Sequence, residues 1–326
     1  MITTTLTRIL GLLHPIVLAP MGGVSGGDLA ATVSNAGGLG LVGGGYGDHA
    51  WLHRELDRVR ERTKRPWGVG FITWSIDAET VKLALQYRPA ALMLSFGDPR
   101  PYAALVKASG CKLICQVQDL AGAQLAREAG ADIIVAQGAE AGGHGCSRAT
   151  LPLVPAVVDA VAPIPVVAAG GIADGRGLAA ALCLGAQGAL LGTRFYATPE
   201  ALGAAAAKRR IVEAAGGQTQ RTRAFDIVRG LEWPSIYPGR ALSNKFVERW
   251  SGREADLTRE LVTERERYGA AVRDRDYDTA AVWAGEAVDL IDGLEAAATL
   301  VCRISVEAEW QLRRSAGLIA SAAEAL

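Results

Sequence analysis

Short apolar, β-branched runs alternate with Ala- and Leu-rich stretches from residue 16 to about 195. The runs are IVLAPM (16–21), LGLVGG (39–44), WGVGFIT (67–73), ALMLSFG (91–97), KLICQV (112–117), DIIVAQG (132–138), PVVAAGG (165–171) and GALLGTRF (188–195). They are apolar throughout rather than alternating, which marks strands buried on both faces, as in a parallel sheet. Several of the stretches between them open on a capping aspartate and close on glycine: Asp28 to Gly37, Asp119 to Gly130, Asp174 to Gly185. Eight strand-then-helix units predict an α/β fold, a (β/α)8 TIM barrel rather than a doubly wound sheet.

Past residue 200 the pattern changes. EALGAAAAKRRIVEAAG and GREADLTRELVTERERYGAAVRDRD read as charged helices, GLEWPSIYPGRALSNKF between them as turns, and the tail from Tyr277 to Leu326 as one or two helices. The expected organisation is a barrel over 1–200 and a mainly helical subdomain over 201–326 that covers the barrel mouth. Charges such as Glu260 and Glu264, set one turn apart and next to Tyr268, read as solvated helix faces.

Composition narrows the function. Lys plus Arg and Asp plus Glu both count 34, so there is no uncompensated positive surface for nucleic acid or an anionic membrane. The five cysteines (Cys111, Cys115, Cys146, Cys183 and Cys302) are odd in number, contain no C-x-x-C pair and fit a reducing cytoplasm. The N-terminal apolar run is broken by His14 and Pro15, which argues against a secretory signal. No apolar run is long enough for a transmembrane helix. Half the residues are hydrophobic, enough for a large core without metal or disulfides.

The glycine-rich corners hold the chemistry. In this fold the site lies at the C-terminal ends of the strands, and the loops after the seventh and eighth often take phosphate. Those ends carry Gly170 and Gly171, then Gly192 and Thr193, which offer backbone N–H groups and a hydroxyl; Arg194 follows as a further charge. Pro20, Met21, Gly22 and Gly23 after the first run, and Gly43 to Gly45 after the second, leave space for a large flat ligand. A nucleotide-like cofactor with a phosphate tail meets that requirement, flavin mononucleotide (FMN) above all.

Four motifs in order, PIVLAPMGG, VAQGAEAGGH, VVAAGGIADGRGLAAALCLGAQGALLGTRF and YPGRALSNKF, resemble the nitronate monooxygenase (2-nitropropane dioxygenase-like) flavoproteins over residues 10 to about 250. The resemblance implies a (β/α)8 barrel with a helical subdomain and noncovalent FMN. It puts Pro20, Met21 and Gly22 beside the flavin ring and Gln137, Gly142 and Gly143 in contact with it. It puts the phosphate on Gly170, Gly171, Gly192 and Thr193, and makes His144 the catalytic base. Many relatives carry asparagine in a GVN motif at the end of the third strand. Here the motif is GVG, with Gly70 in that place, so the contact is missing or is supplied by Thr73 or Gln116.

His144 sits in QGAEAGGHGC, a loop rich in glycine after a very apolar strand. A neutral imidazole there can take the acidic α-proton of a nitroalkane. The implied activity is oxidation of alkyl nitronates, with nitroalkanes as a further substrate, by O2 to a carbonyl compound and nitrite. The nearest alternative is an NAD(P)H-dependent flavin reductase of quinone reductase or enoyl-acyl-carrier-protein reductase type, which shares the EAGGH loop. More distant are a flavin-free phosphate-binding isomerase, for which only Asp98 and Glu140 are acidic candidates, and a noncatalytic flavin carrier. His14 reads as structural. His49 and His53 read as surface residues with no metal between them, and Cys146 as a bystander. Trp74, Tyr237, Arg240 and Asn244 read as packing around the mouth. A homo-oligomer stays open.

Overall fold

The computed structural model describes residues 1–319. Eight parallel strands form within the predicted runs: β1 Ile16–Leu18, β2 Gly40–Gly45, β3 Trp67–Ile72, β4 Ala91–Ser95, β5 Lys112–Val117, β6 Ile133–Gln137, β8 Val166–Ala169 and β9 Ala189–Leu191; β7, Gly143–His144, lies outside their ring. Their order is β1-β9-β8-β6-β5-β4-β3-β2, and a parallel bridge from Val17 to Leu39 returns the last strand to the first. The sheet is thus a nearly closed (β/α)8 barrel.

Side chains alternate between two cores, as a period of two requires. Val17, Leu41, Met93, Ile114, Val135, Val167 and Leu190 fill the barrel interior. Their neighbours Ile16, Leu18, Val42, Leu92, Leu94, Leu113, Cys115, Ile134 and Val166 face the helices. Both faces are dry, which explains runs without polar interruption.

Six of the eight strands stop short of their apolar runs; β5 fills its run and β2 reaches one residue past it, to Gly45. Gly170 and Gly171 fall in the turn after β8, and Thr193 to Phe195 belong to a one-turn helix, Thr193–Tyr196. Asp119 and Asp174 cap the helices Leu120–Glu128 and Gly175–Cys183 as expected. Asp28 does not cap its helix. Gly26 is the N-cap of Gly27–Asn35, and the Asp28 carboxylate is drawn instead to Arg62 at 2.8 Å.

Residues 201–319 do two different things. The segment around 224–283 has its own core of Phe225, Phe246, Val247, Trp250, Leu257 and Tyr268. It also holds strands in a stretch expected to be turns and helices. β10 (Thr219–Thr222) and β11 (Gly239–Leu242) form an antiparallel sheet with β7, in the order β10-β11-β7. The helix Ala297–Ala316, by contrast, lies on the barrel's flank, with Leu300, Val301, Ile304 and Ala308 buried in the barrel's outer core and its main contacts on the helices Gly175–Cys183 and Gly27–Asn35. Its apolar stripe needs an apolar wall, and the flank supplies one. The expected helix end beyond Ile319 lies outside the described residues. Glu264 is not a solvated charge: its carboxylate is buried, accepts from the Trp250 indole at 3.0 Å and pairs with Arg267. No described helix is long and apolar enough to cross a membrane.

Candidate active site

A cavity of about 240 Å³ opens at the C-terminal ends of the strands. Most of the residues singled out above for cofactor or catalysis line it; Gly23, Gly43, Gly44 and Thr73 do not. Pro20, Met21 and Gly22 follow β1; Gly70 comes from β3, Gln116 from β5 and Gln137 from β6; Gly142, Gly143 and His144 lie on or beside β7. Gly170 and Gly171 follow β8, and Gly192 and Thr193 follow β9.

The His144 loop is glycine-rich, yet it is not loose. His144 and Gly143 pair with Gly239 and Arg240 of β11. Gln137 donates from Nε2 to the His144 carbonyl at 3.1 Å, while its Oε1 accepts from Gln116 and Gln118. Arg221 on β10 completes the clamp. Its guanidinium donates to the carbonyls of Ala139, Ala141, Gly143 and Gly145, every second residue of the loop, and to that of Pro238. Burial, then the like charge of Arg240, pulls the Arg221 pKa down to about 10, so it still carries its charge at neutral pH. Glycine lets the loop turn sharply, and Arg221 holds the turn it makes.

The His144 ring is enclosed. Its side chain is 9% exposed, and Nε2 sits 3.0 Å from both carboxylate oxygens of Asp226, itself 5% exposed. The Trp233 indole lies flat on the imidazole, with centroids 3.4 Å apart and planes within 2°. Trp283 and Phe96 approach from other sides. Burial lowers the His144 pKa below its ordinary value; the Asp226 carboxylate works against that by hydrogen bond and charge, and Arg229 and Arg221 reinforce it. With Nε2–H donated to Asp226, the lone pair of the neutral ring is on Nδ1, which has no partner among the described residues.

The glycine corners fit a flavin phosphate. Gly170 and Gly171 have φ of +102° and +72°, where a side chain is strained, and the backbone N–H groups of Gly170, Gly171, Gly192 and Thr193 find no acceptor among the described residues. Four unanswered donors around one cavity suit a polyanionic group. The Thr193 hydroxyl accepts from Gly285 N–H at 2.9 Å and so ties this corner to the overlying segment. Arg194 is buried, donates to the carbonyls of Ala197 and Gly293 and leaves Nε unpartnered; it makes no outward salt bridge.

Gly70 has a packing reason. A Cβ there would stand 2.3 Å from Pro20 Cγ, so the proline that follows β1 occupies the space an asparagine would need. Thr73, an expected substitute, is buried with its hydroxyl unpartnered and does not line the cavity, whereas Gln116 does.

Other candidates fall away from the cavity. His14 contacts Ser305, His49 contacts Thr80 and His53 contacts Tyr87; no metal-binding cluster occurs among the described residues. Asp98 is bound to Arg100, while Glu140 lines the cavity but accepts from Thr150 N–H and Oγ1. Asn244 caps the helix Lys245–Trp250, Arg240 pairs with Glu286 at 2.8 Å, and Tyr237 packs on Phe96. Trp74 packs between Tyr46 and Trp233. The Cys146 thiol, raised in pKa by burial, lies by the Ile236 carbonyl. Asp226, Arg221, Arg229 and Trp233 were not anticipated. The one available signal was an aspartate inside the apolar run AFDIV, a position that asks for a buried partner.

The sequence model of the nitronate monooxygenase family matches residues 3–77 and 70–307. Among curated relatives, the chain is 36% identical over 249 residues to (3aS,4S,5R,7aS)-5-hydroxy-7a-methyl-1-oxo-octahydro-1H-indene-4-carboxyl-CoA dehydrogenase of Mycobacterium tuberculosis, covering 76% of this chain and 68% of that one. It is 36% identical over 318 residues to nitronate monooxygenase npaC of Metarhizium robertsii, covering 88% of each. Among solved structures, FabK of Thermotoga maritima is similar with a TM-score of 0.86 and 32% identity, over 98% of this chain and 100% of that one.

Proposed function

The chain belongs to the nitronate monooxygenase family and is an oxidoreductase, and from that premise we propose that it oxidises alkyl nitronates with O2, using FMN, to a carbonyl compound and nitrite. The observation that carries this reading is the buried His144–Asp226 pair facing a cavity with four unanswered N–H donors. Gly170, Gly171, Gly192 and Thr193 would hold the FMN phosphate, Pro20, Met21, Gly22, Gly70, Gln116, Gln137, Gly142 and Gly143 would contact its ring, and the bound flavin would supply the electron acceptor that side chains lack.

The chain's own residues manage the proton. Because burial lowers its pKa, His144 stays neutral at neutral pH. A protonated ring would return a nitronate to the neutral nitroalkane; a neutral one leaves the anion intact. For a nitroalkane the same lone pair on Nδ1 takes the α-proton. Asp226 then stabilises the resulting imidazolium and fixes which nitrogen is free. Trp233, Trp283 and Phe96 exclude water from the ring.

The likeness to FabK supports a second reading, an NAD(P)H-dependent flavin reductase on the same site. One experiment separates them. The purified protein is mixed anaerobically with ethyl nitronate in one cell and NADH in another, and its visible spectrum followed. Loss of flavin absorbance with nitronate alone supports the monooxygenase, and loss only with NADH replaces it by the reductase. A colourless protein that takes up no added FMN overturns both.

A further inference from the structure

Nearly every charge around the cavity is answered. Asp226 is engaged with His144, Glu140 with Thr150, and Arg194 with two backbone carbonyls. Arg229 differs. Its side chain is exposed and lines the same cavity, and among the described residues it has no carboxylate within 4.0 Å. Its flanking groups are neutral: the Tyr46 phenol, and the Trp283 ring with its centroid 5.9 Å from the guanidinium carbon. The nearest acid on its own helix, Asp226, is already taken by His144.

Arg229 is the last residue of the helix Ala224–Arg229, where a positive side chain complements the helix dipole. That accounts for a cation at the position, but not for a fork-shaped one directed at an aromatic-walled cavity. Tyr46, Trp233 and Trp283 wall the cavity beside it, and a guanidinium offers two parallel N–H donors to a planar group with two oxygens. A nitronate carries its negative charge on such a pair of oxygens. The parent nitroalkane has the same atoms and no charge.

We propose that Arg229 is the specificity residue of the site, selecting the anionic nitronate over the neutral nitroalkane by gripping its two oxygens. The proposal rests on the nitronate reading given above, and the test keeps the two apart. Oxygen uptake is measured on flavin-loaded protein with ethyl nitronate and with nitroethane, for the native chain, Arg229→Gln and Arg229→Lys. In parallel, nitrite, a bent monoanion with two oxygens, is titrated by calorimetry. For Arg229→Gln the expected result is a KM for nitronate raised about tenfold, a KM for nitroethane within about twofold, and nitrite affinity lowered about tenfold. Arg229→Lys restores part of each, since it keeps the charge and loses the fork. Nitronate KM and nitrite affinity that both stay within about twofold of native, in a variant with native melting and flavin content, overturn the proposal. Should Arg229→Gln fail to fold, Arg229→Lys decides alone: an intermediate loss supports the proposal, and native values for both readouts overturn it. A native protein that consumes no oxygen with nitronate sinks the activity reading, while a nitrite site that depends on Arg229 still stands as an anion site.

Discussion

His144 Nε2 stands 3.0 Å from both carboxylate oxygens of Asp226, a residue 82 positions further along the chain. The pairing makes one ring nitrogen a fixed donor and leaves the other as the only basic atom. Replacing Asp226 with Asn keeps the size but removes the charge and lets the ring adopt either tautomer. The expected kcat on nitroethane falls by about 10²–10⁴. Because the carboxylate raises the His144 pKa against the pull of burial, the acid limb of the pH–rate profile moves to lower pH in Asp226→Asn. In the native protein that limb is expected below the ordinary histidine value, because burial lowers the His144 pKa. A limb above it, or one unmoved by the substitution, rejects the role given to Asp226.

Gly70 and Pro20 are in contact through the space a side chain would fill, with 2.3 Å left for a Cβ. A pyrrolidine ring cannot swing aside as a lysine tip can. Gly70→Ala is therefore expected to destabilise the protein by about 1–3 kcal/mol and to lower bound flavin. Thermal melting and the flavin-to-protein absorbance ratio measure the two effects. An alanine variant that melts and binds flavin as the native protein does removes the packing explanation for the GVG motif.

Arg221 answers four alternate carbonyls of the segment 139–145. Arg221→Gln leaves most of them without a donor and costs about 2 kcal/mol, felt locally before it is felt globally. Hydrogen exchange is expected to accelerate in residues 138–146, with kcat falling alongside. Unchanged exchange in that segment would show that β11 alone holds the loop.

The thiols sort by burial. Cys183 and Cys302 are exposed, Cys146 is half-buried, and burial pushes Cys111 and Cys115 up to about 12. A thiol reagent at pH 8 is expected to modify two cysteines quickly, a third slowly and the last two only after unfolding. Quick reaction of four or more contradicts the burial of β5.

How much was written in the local pattern differs between the two halves. The barrel strands were legible because each is buried on both sides, so its apolar run is continuous and its end is marked by glycine. Most of the residues named from those ends line one cavity; Gly23, Gly43 and Gly44 do not. The segment over the mouth was not legible in the same way. β10 and β11 are four residues each, and all of β10 is polar, with Arg221 serving the loop and Gln220 the surface rather than a core. Asp28 failed as a cap for a similar reason: Arg62, 34 positions away, outcompetes the local N–H. Asp226, Arg229 and Trp233 act on His144 only through tertiary contact, which no periodicity records.

The order of these parts along the chain has a temporal consequence. Every barrel strand, together with Gly170, Gly171, Gly192 and Thr193, is complete by residue 193, whereas Asp226 and Trp233 follow later. During synthesis from the N-terminus, the strand-end wall of the cavity is made first and the partner of its histidine later. A chain interrupted between the two would have the strand ends of the site and lack the carboxylate that orients its histidine, so a fully oriented His144 reports that the final third has docked.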